Sequence, residues 1–231
     1  MTNNRGPRCL LVAGGLSHVF NYPRYNHELC WWAERLDSMK YECWMCIADG
    51  NPPERPPASV KVTSARRKDV EEGLQWLVGI GENDLGLLVV SNHGDQSGIC
   101  LWGPDTLTPK EVERAIKPVK GTMVCLMGQC HGGIFGPLGN ARTVVLSACR
   151  ENESSYACPV PPGLDYDEFL YQLGTALFGP PSDAPQPGPA RRPLSLLDAF
   201  HWARAQDRQK ETPMIFDPNG LAGSIFLFSV T

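Results

Sequence analysis

Met123-Val-Cys-Leu-Met-Gly-Gln-Cys-His-Gly-Gly133 is an apolar run that ends abruptly at a cysteine followed by glycines. Leu87-Leu-Val-Val-Ser-Asn-His-Gly94 has the same pattern and ends at a histidine. Such near-continuous apolar runs are typical of strands that are buried on both faces in a parallel sheet. Ligands of these sheets bind beyond the carboxyl ends of the strands. If the two strands are neighbours, His93 and Cys130 therefore meet at that edge of the sheet.

Segments of strand and helix character alternate along the rest of the chain. Six strands are predicted, over residues 8–14, 41–48, 85–92, 121–129, 142–147 and 224–230. Helices are predicted from Asn21-Tyr-Pro23 onwards, over residues 67–79, from the capping box at Thr108 to Lys117, and over residues 166–177 and 195–206. This alternation predicts an α/β fold with a mostly parallel sheet and helices on both faces. We expect one domain over residues 1–231, with a proline-rich loop over residues 179–193.

Composition limits the class of protein. The 231 residues are 42% hydrophobic and 20% charged, which is typical of a globular chain with a full core. The net charge of −4 without a basic block argues against nucleic acid or an anionic membrane as a partner. Nine cysteines lie mostly in apolar runs, and we find no secretion signal or membrane span. We therefore expect a reduced, cytoplasmic protein.

The chemistry that fits a thiol beside an imidazole is nucleophilic catalysis. His93 can take the proton of Cys130 and later give it to a leaving amine. The tetrahedral oxyanion needs backbone donors, for which the N–H groups of Gly94 and Cys130 are candidates. Gly132 and Gly133 permit a tight turn beside the nucleophile. These residues predict a cysteine peptidase without a metal or cofactor.

Further segments give the chain a resemblance to a known family. Leu11-Val-Ala-Gly14 with Asn21, Tyr22 and Arg24 resembles the first strand and following turn of the legumain (asparaginyl endopeptidase) family, among the caspase-like cysteine peptidases. Glu153-Ser-Ser-Tyr-Ala-Cys158 is similar to the family's segment after the fifth strand. Leu194-Ser-Leu-Leu-Asp-Ala-Phe200 resembles a late helix of bacterial caspase-like domains. The motifs are short, but together they span nearly the whole chain.

The resemblance implies a fold and a set of roles. The fold would be a caspase-like three-layer sandwich around a six-stranded, mostly parallel sheet whose last strand is antiparallel. His93 would be the base, Cys130 the nucleophile, and Asn21 the residue that orients the histidine. The pocket for the residue before the scissile bond (P1) would contain four residues: Arg24, Ser154, Ser155 and Asp165.

The pocket residues bear on specificity. Arg24 donates to a side-chain carbonyl or carboxylate, and Asp165 could accept from an amide, so the pair would select asparagine. Arg24 without a nearby acid would favour aspartate. The chain departs from the family pattern at Gly128, where the family has an acid, at Tyr25, where it has a histidine, and at the additional Pro23. The implied activity is an endopeptidase that cleaves protein or peptide substrates after Asn or Asp.

Other interpretations remain open at this point. Cys149, in Ser147-Ala-Cys-Arg150, is a rival nucleophile, although no glycine follows it. His131 could carry protons, Cys43-x-x-Cys46 could bind zinc, and Gly14-Gly15 could belong to a nucleotide loop, but the spacing of each is incomplete. The fold could also serve as a regulatory module that is controlled by a protein partner, or as a transpeptidase that uses the same dyad.

Overall fold

The computed structural model describes residues 6–160, 164–190 and 193–227. The strands are β1 Arg8–Ala13, β2 Glu42–Ile47, β3 Lys61–Thr63, β4 Leu85–Ser91, β5 Ile99–Cys100, β6 Thr106–Leu107, β7 Thr122–Met127, β8 Thr143–Ser147, β9 Ala157–Val160, β10 Leu164–Asp167 and β11 Met214–Phe216. The helices are α1 Pro23–Ser38, α2 Arg67–Leu77, α3 Pro109–Ile116, α4 Glu168–Phe178 and α5 Leu196–Gln206, and short 3-10 turns span Gly132–Leu138 and Leu221–Gly223.

A seven-stranded sheet forms the centre of the fold, in the order β11-β8-β7-β4-β1-β2-β3. All neighbouring strands are parallel except β11, which is antiparallel to β8. The predicted α/β class and mostly parallel sheet are thus confirmed. The predicted count of six strands is wrong, because the short strand β3 adds an edge beside β2. Antiparallel pairs β5-β6 and β9-β10 lie outside the main sheet.

The last strand of the sheet differs from the predicted one. We expected residues 224–230 to form it, but β11 lies earlier, at Met214–Phe216. Residues 224–227 form no strand, and residues 228–230 lie outside the described part of the chain. Ile225 and Leu227 are nevertheless buried, and their carbonyl oxygens accept hydrogen bonds from the Leu196 N–H and the Tyr41 hydroxyl. This segment covers the core without pairing in the sheet.

The helices form two layers around the sheet, with α1, α4 and α5 packed together on one side and α2 packed against α3 on the other. Helix α1 begins with Pro23 in its first turn and buries Leu29, Trp32 and Leu36 at helical spacing. The predicted capping box of Thr108 and Glu111 opens α3. None of the helices in the described ranges is long and apolar enough to span a membrane.

The proline-rich loop is packed against α4 over its described residues. No helix or strand forms at residues 179–190. The Ala184 carbonyl oxygen accepts a hydrogen bond from the Tyr171 hydroxyl at 2.6 Å, and Gln186 donates to Gln172 at 2.9 Å. Ala184 is fully buried. This part of the loop therefore covers the outer face of α4.

Candidate active site

The register of β4 and β7 brings the two reactive residues to one edge of the sheet. The strands are parallel neighbours with Val90 opposite Met127, and the Gly128 N–H donates to the Val90 carbonyl oxygen at 2.9 Å. His93 and Cys130 follow this register pair at equal distances along their strands. Paired strands lie about 4.8 Å apart. The sheet thus has the neighbouring strands that a dyad of His93 and Cys130 requires.

Gly94 forms the contact between the two loops. A Cβ atom on this residue would lie 2.4 Å from the Cys130 carbonyl oxygen and 2.5 Å from Cγ of Gln129. No side chain fits in that space, so glycine is what allows the loop after His93 to touch the loop that carries Cys130. Asn92 fixes the start of this turn, because its Oδ1 accepts from the His93 N–H at 2.8 Å and its Nδ2 donates to the Cys100 carbonyl oxygen at 2.6 Å.

The His93 imidazole has one nitrogen bound and one nitrogen free. Its Nε2 lies 2.9 Å from the carbonyl oxygen of Phe20, an acceptor that requires a proton on Nε2. The lone pair of the neutral ring is therefore on Nδ1, which has no partner in the described part of the chain. Burial lowers the pKa of His93 from its usual 6.5; the hydrogen bond to Phe20 opposes this shift and the Arg24 cation adds to it. The site thus favours a neutral imidazole that can accept a proton.

Aromatic rings surround the imidazole. The rings of Tyr22 and Tyr25 lie 5.1 and 5.4 Å from the His93 ring, and that of Phe20 lies 6.1 Å away, all in edge-on geometry. Gly15 leaves room on another side, because a Cβ atom there would lie 2.9 Å from Cδ2 of His93. Within the pair Gly14-Gly15, which also occurs in nucleotide loops, Gly15 thus makes space for the histidine ring, whereas Gly14 makes space for Ala48.

The orienting contact expected from Asn21 comes from the residue before it. The Phe20 backbone carbonyl binds His93, and the Asn21 side chain makes no hydrogen bond to the ring. Asn21 Oδ1 is buried and has no hydrogen-bond partner among the residues that the structure describes. A backbone carbonyl and a side-chain amide oxygen both accept from Nε2–H. The role assigned to Asn21 is therefore corrected to the carbonyl of Phe20.

Cys130 is the accessible thiol of the chain. It is partly exposed, whereas each of the other cysteines is buried. The N–H of Ser155 lies 3.3 Å from its sulfur, and the Ser155 hydroxyl lies 3.7 Å away. Donors in these positions stabilise negative charge on sulfur. Ser155, predicted as a pocket residue, is thus in direct contact with the proposed nucleophile.

Cys149 and His131, the alternative nucleophile and proton carrier, contact backbone carbonyl oxygens away from His93. The Cys149 sulfur faces the carbonyl oxygens of Gln129 and Glu153 at 3.6 and 3.3 Å, and burial raises its pKa to about 12. A thiol that keeps its proton is a poor nucleophile. His131 has a left-handed backbone, with φ of 58°, and its Nδ1 lies 2.8 Å from the Glu151 carbonyl oxygen.

The two proposed oxyanion donors are the backbone N–H groups of Gly94 and Cys130. Neither the Gly94 N–H nor the Cys130 N–H donates to another residue within the described ranges. An antiparallel β-bridge joins Gly94 and Ile99, but the residues on either side of Gly94 make its hydrogen bonds. The His93 carbonyl oxygen accepts from Cys100, and the Asp95 N–H donates to Gly98. Both N–H groups therefore remain able to bind a ligand oxygen, in loops that touch each other at Gly94.

Arg24 forms a largely buried ion pair beside this site. Its guanidinium lies over the rings of Tyr22 and Tyr25, 4.5 and 4.7 Å from their centroids. Its Nε donates to Asp167 Oδ1 at 3.1 Å, with the two side chains 19% and 6% exposed. The Ser91 hydroxyl donates to the other carboxylate oxygen. Burial raises the pKa of Asp167, while Arg24 and Ser91 oppose that shift.

The acid that pairs with Arg24 is Asp167, not the predicted Asp165. Asp165 is exposed on β10. The strand ends at Asp167, which is the N-cap residue of α4, and there the carboxylate reaches Arg24. Ser154, another predicted pocket residue, is exposed and makes no side-chain hydrogen bond in the described part of the chain. The structure therefore retains Arg24 and Ser155 at the site and replaces Asp165 with Asp167.

Gly128, where the legumain resemblance implies an acid, has no room for a side chain. A Cβ atom there would lie 2.7 Å from the Val90 carbonyl oxygen and 2.6 Å from Cδ1 of Leu170, so no acid fits. Glu28 is a buried carboxyl group that accepts from the Asp167 N–H at 3.2 Å. Burial, followed by the neighbouring Asp167, raises the pKa of Glu28 well above its usual value.

A comparison with protein-family models found no match to this chain, and neither did a comparison with curated proteins. The interpretation of the site therefore depends on its geometry. Within the described ranges, no group of three or more His, Cys, Asp or Glu side chains is placed to hold a metal ion.

Proposed function

We propose that this chain is a cysteine endopeptidase that uses His93 as base and Cys130 as nucleophile. One observation carries the proposal: His93 Nε2 binds the Phe20 carbonyl oxygen and Nδ1 has no partner among the residues that the structure describes, at the sheet edge where the accessible thiol lies. Free Nδ1 is the acceptor that deprotonation of a thiol requires.

The reaction follows from these positions. His93 Nδ1 takes the proton of Cys130, and the sulfur attacks the peptide carbonyl carbon. The N–H groups of Gly94 and Cys130 stabilise the resulting oxyanion. The imidazolium then protonates the leaving amine, and the C–N bond breaks to give a thioester. His93 next takes a proton from water, whose hydroxide displaces the sulfur and releases the carboxylic acid.

Arg24 and Asp167 support asparagine as the P1 residue. The guanidinium donates to a side-chain carbonyl oxygen, and a carboxylate that already binds Arg24 and Ser91 keeps lone pairs for an amide NH₂. An aspartate substrate would bring a second carboxylate close to Asp167, which is unfavourable for like charges. The arginine with a neighbouring acid thus selects Asn over Asp.

The caspase-like and legumain resemblance remains part of this proposal. The mostly parallel sheet with an antiparallel last strand supports it. We also propose a cytoplasmic location, because all the cysteines of the chain are free thiols, as is usual in a reducing compartment.

A peptide library tests the function directly. Purified protein is incubated with peptides that vary at P1 over Asn, Asp, Arg and Lys, and the products are identified by mass. We expect cleavage after Asn, and an aza-asparagine epoxide should label Cys130. Ligated products would indicate transpeptidation. No cleavage of any peptide, or label on another cysteine, would refute the proposal and favour a regulatory module.

The acid limb of the pH profile is expected below the ordinary imidazole pKa of about 6.5. The neutral form of His93 is the base, and burial together with Arg24 lowers its pKa, so activity persists until the pH falls through the lowered value. Arg24→Gln removes a cation that disfavours the imidazolium, so its acid limb should move to higher pH. The measurement is kcat/KM against pH, and a wild-type limb above 6.5 would contradict the prediction.

Gly94→Ala is expected to lower kcat/KM about 100-fold, because its Cβ would lie 2.4 Å from the Cys130 carbonyl oxygen and a displacement of about 1 Å costs that much in a reacting pair. The matched control is Gly223→Ala, where the nearest atom to the new Cβ is 3.8 Å away; its activity should match the wild type. Circular dichroism checks that both variants fold. Full activity of Gly94→Ala would show that the two loops do not form the site.

A further inference from the structure

The segment that contacts the Cys130 sulfur is fixed at both ends by two consecutive residues. The Tyr156 N–H donates to Glu211 Oε2 at 2.7 Å. Thr212 donates to the Glu153 carboxylate through its N–H at 3.0 Å and through its hydroxyl at 3.1 Å. Ser155, between these ends, points its N–H at the sulfur of Cys130. The position of Ser155 therefore depends on Glu211 and Thr212.

Glu211 is buried and Asp207 is partly exposed, and the two carboxyl groups act on each other. Glu211 is 9% exposed. Its Oε1 and the Oδ2 of Asp207 are both buried without a hydrogen-bond partner in the described part of the chain. The other oxygens are occupied, Oε2 by the Tyr156 N–H and Oδ1 of Asp207 by the Gln209 N–H. A single proton between Oε1 and Oδ2 satisfies both orphaned oxygens, whereas two carboxylates there would leave both unpaired.

The surroundings keep that proton on Glu211. Burial, followed by the charge of Asp207, raises the pKa of Glu211 to about 10. Two further acids act on the pair: Asp167 at the end of β10 raises the pKa of Glu211, and Glu168 in α4 raises that of Asp207. Each of them disfavours an additional negative charge in this place.

We propose that Glu211 is a positioning residue, whose carboxyl group donates to Asp207 and accepts from the Tyr156 N–H, and thereby holds Ser155 against the sulfur of Cys130. The inference rests on the proposed peptidase function, and it adds the residue that controls the environment of the nucleophile. Loss of the proton from Glu211 places two carboxylates side by side. Their repulsion and the cost of burying the charge outweigh the stronger bond that an ionised Glu211 accepts from the Tyr156 N–H, so the carboxylate moves and this hold is released. The reactivity of Cys130 therefore decreases at alkaline pH.

Glu211→Gln is the decisive variant. Its carbonyl oxygen accepts from the Tyr156 N–H and its NH₂ group donates to Asp207 at every pH, so it reproduces the protonated acid. We expect kcat/KM within about threefold of the wild type at pH 7 and no alkaline decrease. Glu211→Ala should lose about 10- to 100-fold in kcat with little change in KM. Asp207→Asn should also abolish the alkaline decrease, because its NH₂ can donate to an ionised Glu211.

Alkylation of Cys130 by iodoacetamide separates this inference from the proposed function. The rate is measured against pH, with the site of modification confirmed by mass spectrometry, and it requires no turnover. We expect the rate to rise as the thiol ionises and then to show an alkaline decrease in the wild type that is absent from Glu211→Gln. A wild-type protein that cleaves nothing but shows this profile refutes the peptidase and supports the positioning role. An active wild type whose alkaline decrease persists in Glu211→Gln overturns the positioning role.

The pH dependence of folding gives an additional readout. The pKa of Glu211 is about 10 in the folded chain against 4.5 for an unperturbed glutamate. Between these values the folded chain holds a proton that the unfolded chain has released, so the free energy of unfolding falls as the pH rises. Urea denaturation from pH 6 to 9 should show this decrease in the wild type and a smaller one in Glu211→Gln. Equal slopes would contradict a protonated Glu211.

Discussion

Replacement of Cys130 by alanine is expected to reduce kcat/KM for an asparagine-containing peptide by about 10⁴-fold or more, because it removes the atom that forms the thioester. Cys130 is partly exposed and receives the Ser155 N–H at 3.3 Å. Removal of a nucleophile leaves the residual catalysis of the oxyanion donors and of substrate binding. The measurement is the initial rate of hydrolysis with a fluorogenic peptide, at matched protein concentrations.

Cys149→Ala is the matched control for this variant. Its thiol is buried against the carbonyl oxygens of Gln129 and Glu153, so its removal should cost stability of about 1 kcal/mol and leave the rate of the folded enzyme within about twofold. Thermal melts of both variants separate loss of folding from loss of chemistry. The opposite pattern, with Cys149→Ala inactive and Cys130→Ala active, would transfer the nucleophile to Cys149.

The neighbouring positions of His93 and Cys130 could be predicted from the sequence because each residue follows the end of a strongly apolar strand. A parallel sheet buries both faces of such strands, and it collects their carboxyl ends at one edge. The apolar runs Leu87–Val90 and Met123–Met127 therefore predict both the strand pairing and the edge of the sheet at which we propose the chemistry. The structure pairs these two strands, β4 and β7, as this argument predicts.

The predicted last strand shows where this reasoning fails. Around residues 224–227, burial alternates between Ile225, Phe226 and Leu227 as it does in a strand, but these residues cover the core next to α5 and do not enter the sheet. The true last strand, Met214–Phe216, has only three partly buried residues and so produces no clear periodic signal. Pairing partners are a tertiary property, and apolar alternation alone does not reveal them.

The site residues that the sequence analysis missed act through features that residue type does not encode. Phe20 orients His93 with a backbone carbonyl, which every residue possesses. Asp165 and Asp167 are identical in type and close in sequence, and only the turn from β10 into α4 determines which of them reaches Arg24. Glu211 is distant in sequence from the segment that it holds. Such contacts become visible only when the chain is folded.

Asp167→Asn is expected to reverse the P1 preference, changing the ratio of kcat/KM for aspartate over asparagine peptides on the order of 10³-fold. The reason is electrostatic, since like charges in close contact cost several kcal/mol. Asp167 is 6% exposed in its side chain and neutralises Arg24 at 3.1 Å. An asparagine in its place keeps an oxygen for the Arg24 Nε, and its NH₂ can donate to the Ser91 hydroxyl oxygen. The guanidinium is then left without a counter-charge and favours a carboxylate.

Asp165→Asn is the control that distinguishes the two acids. Asp165 is exposed and makes no ion pair with Arg24, so this variant changes the net charge of the chain by the same amount without changing the pocket. The measurement uses peptides that differ only in Asn or Asp at P1, with kcat and KM determined for each. If Asp165→Asn reverses the preference and Asp167→Asn does not, the buried ion pair is not the pocket that reads the substrate. If both leave it unchanged, Arg24 has only a structural role, because a guanidinium that contacted the substrate would respond to the loss of the carboxylate that pairs with it.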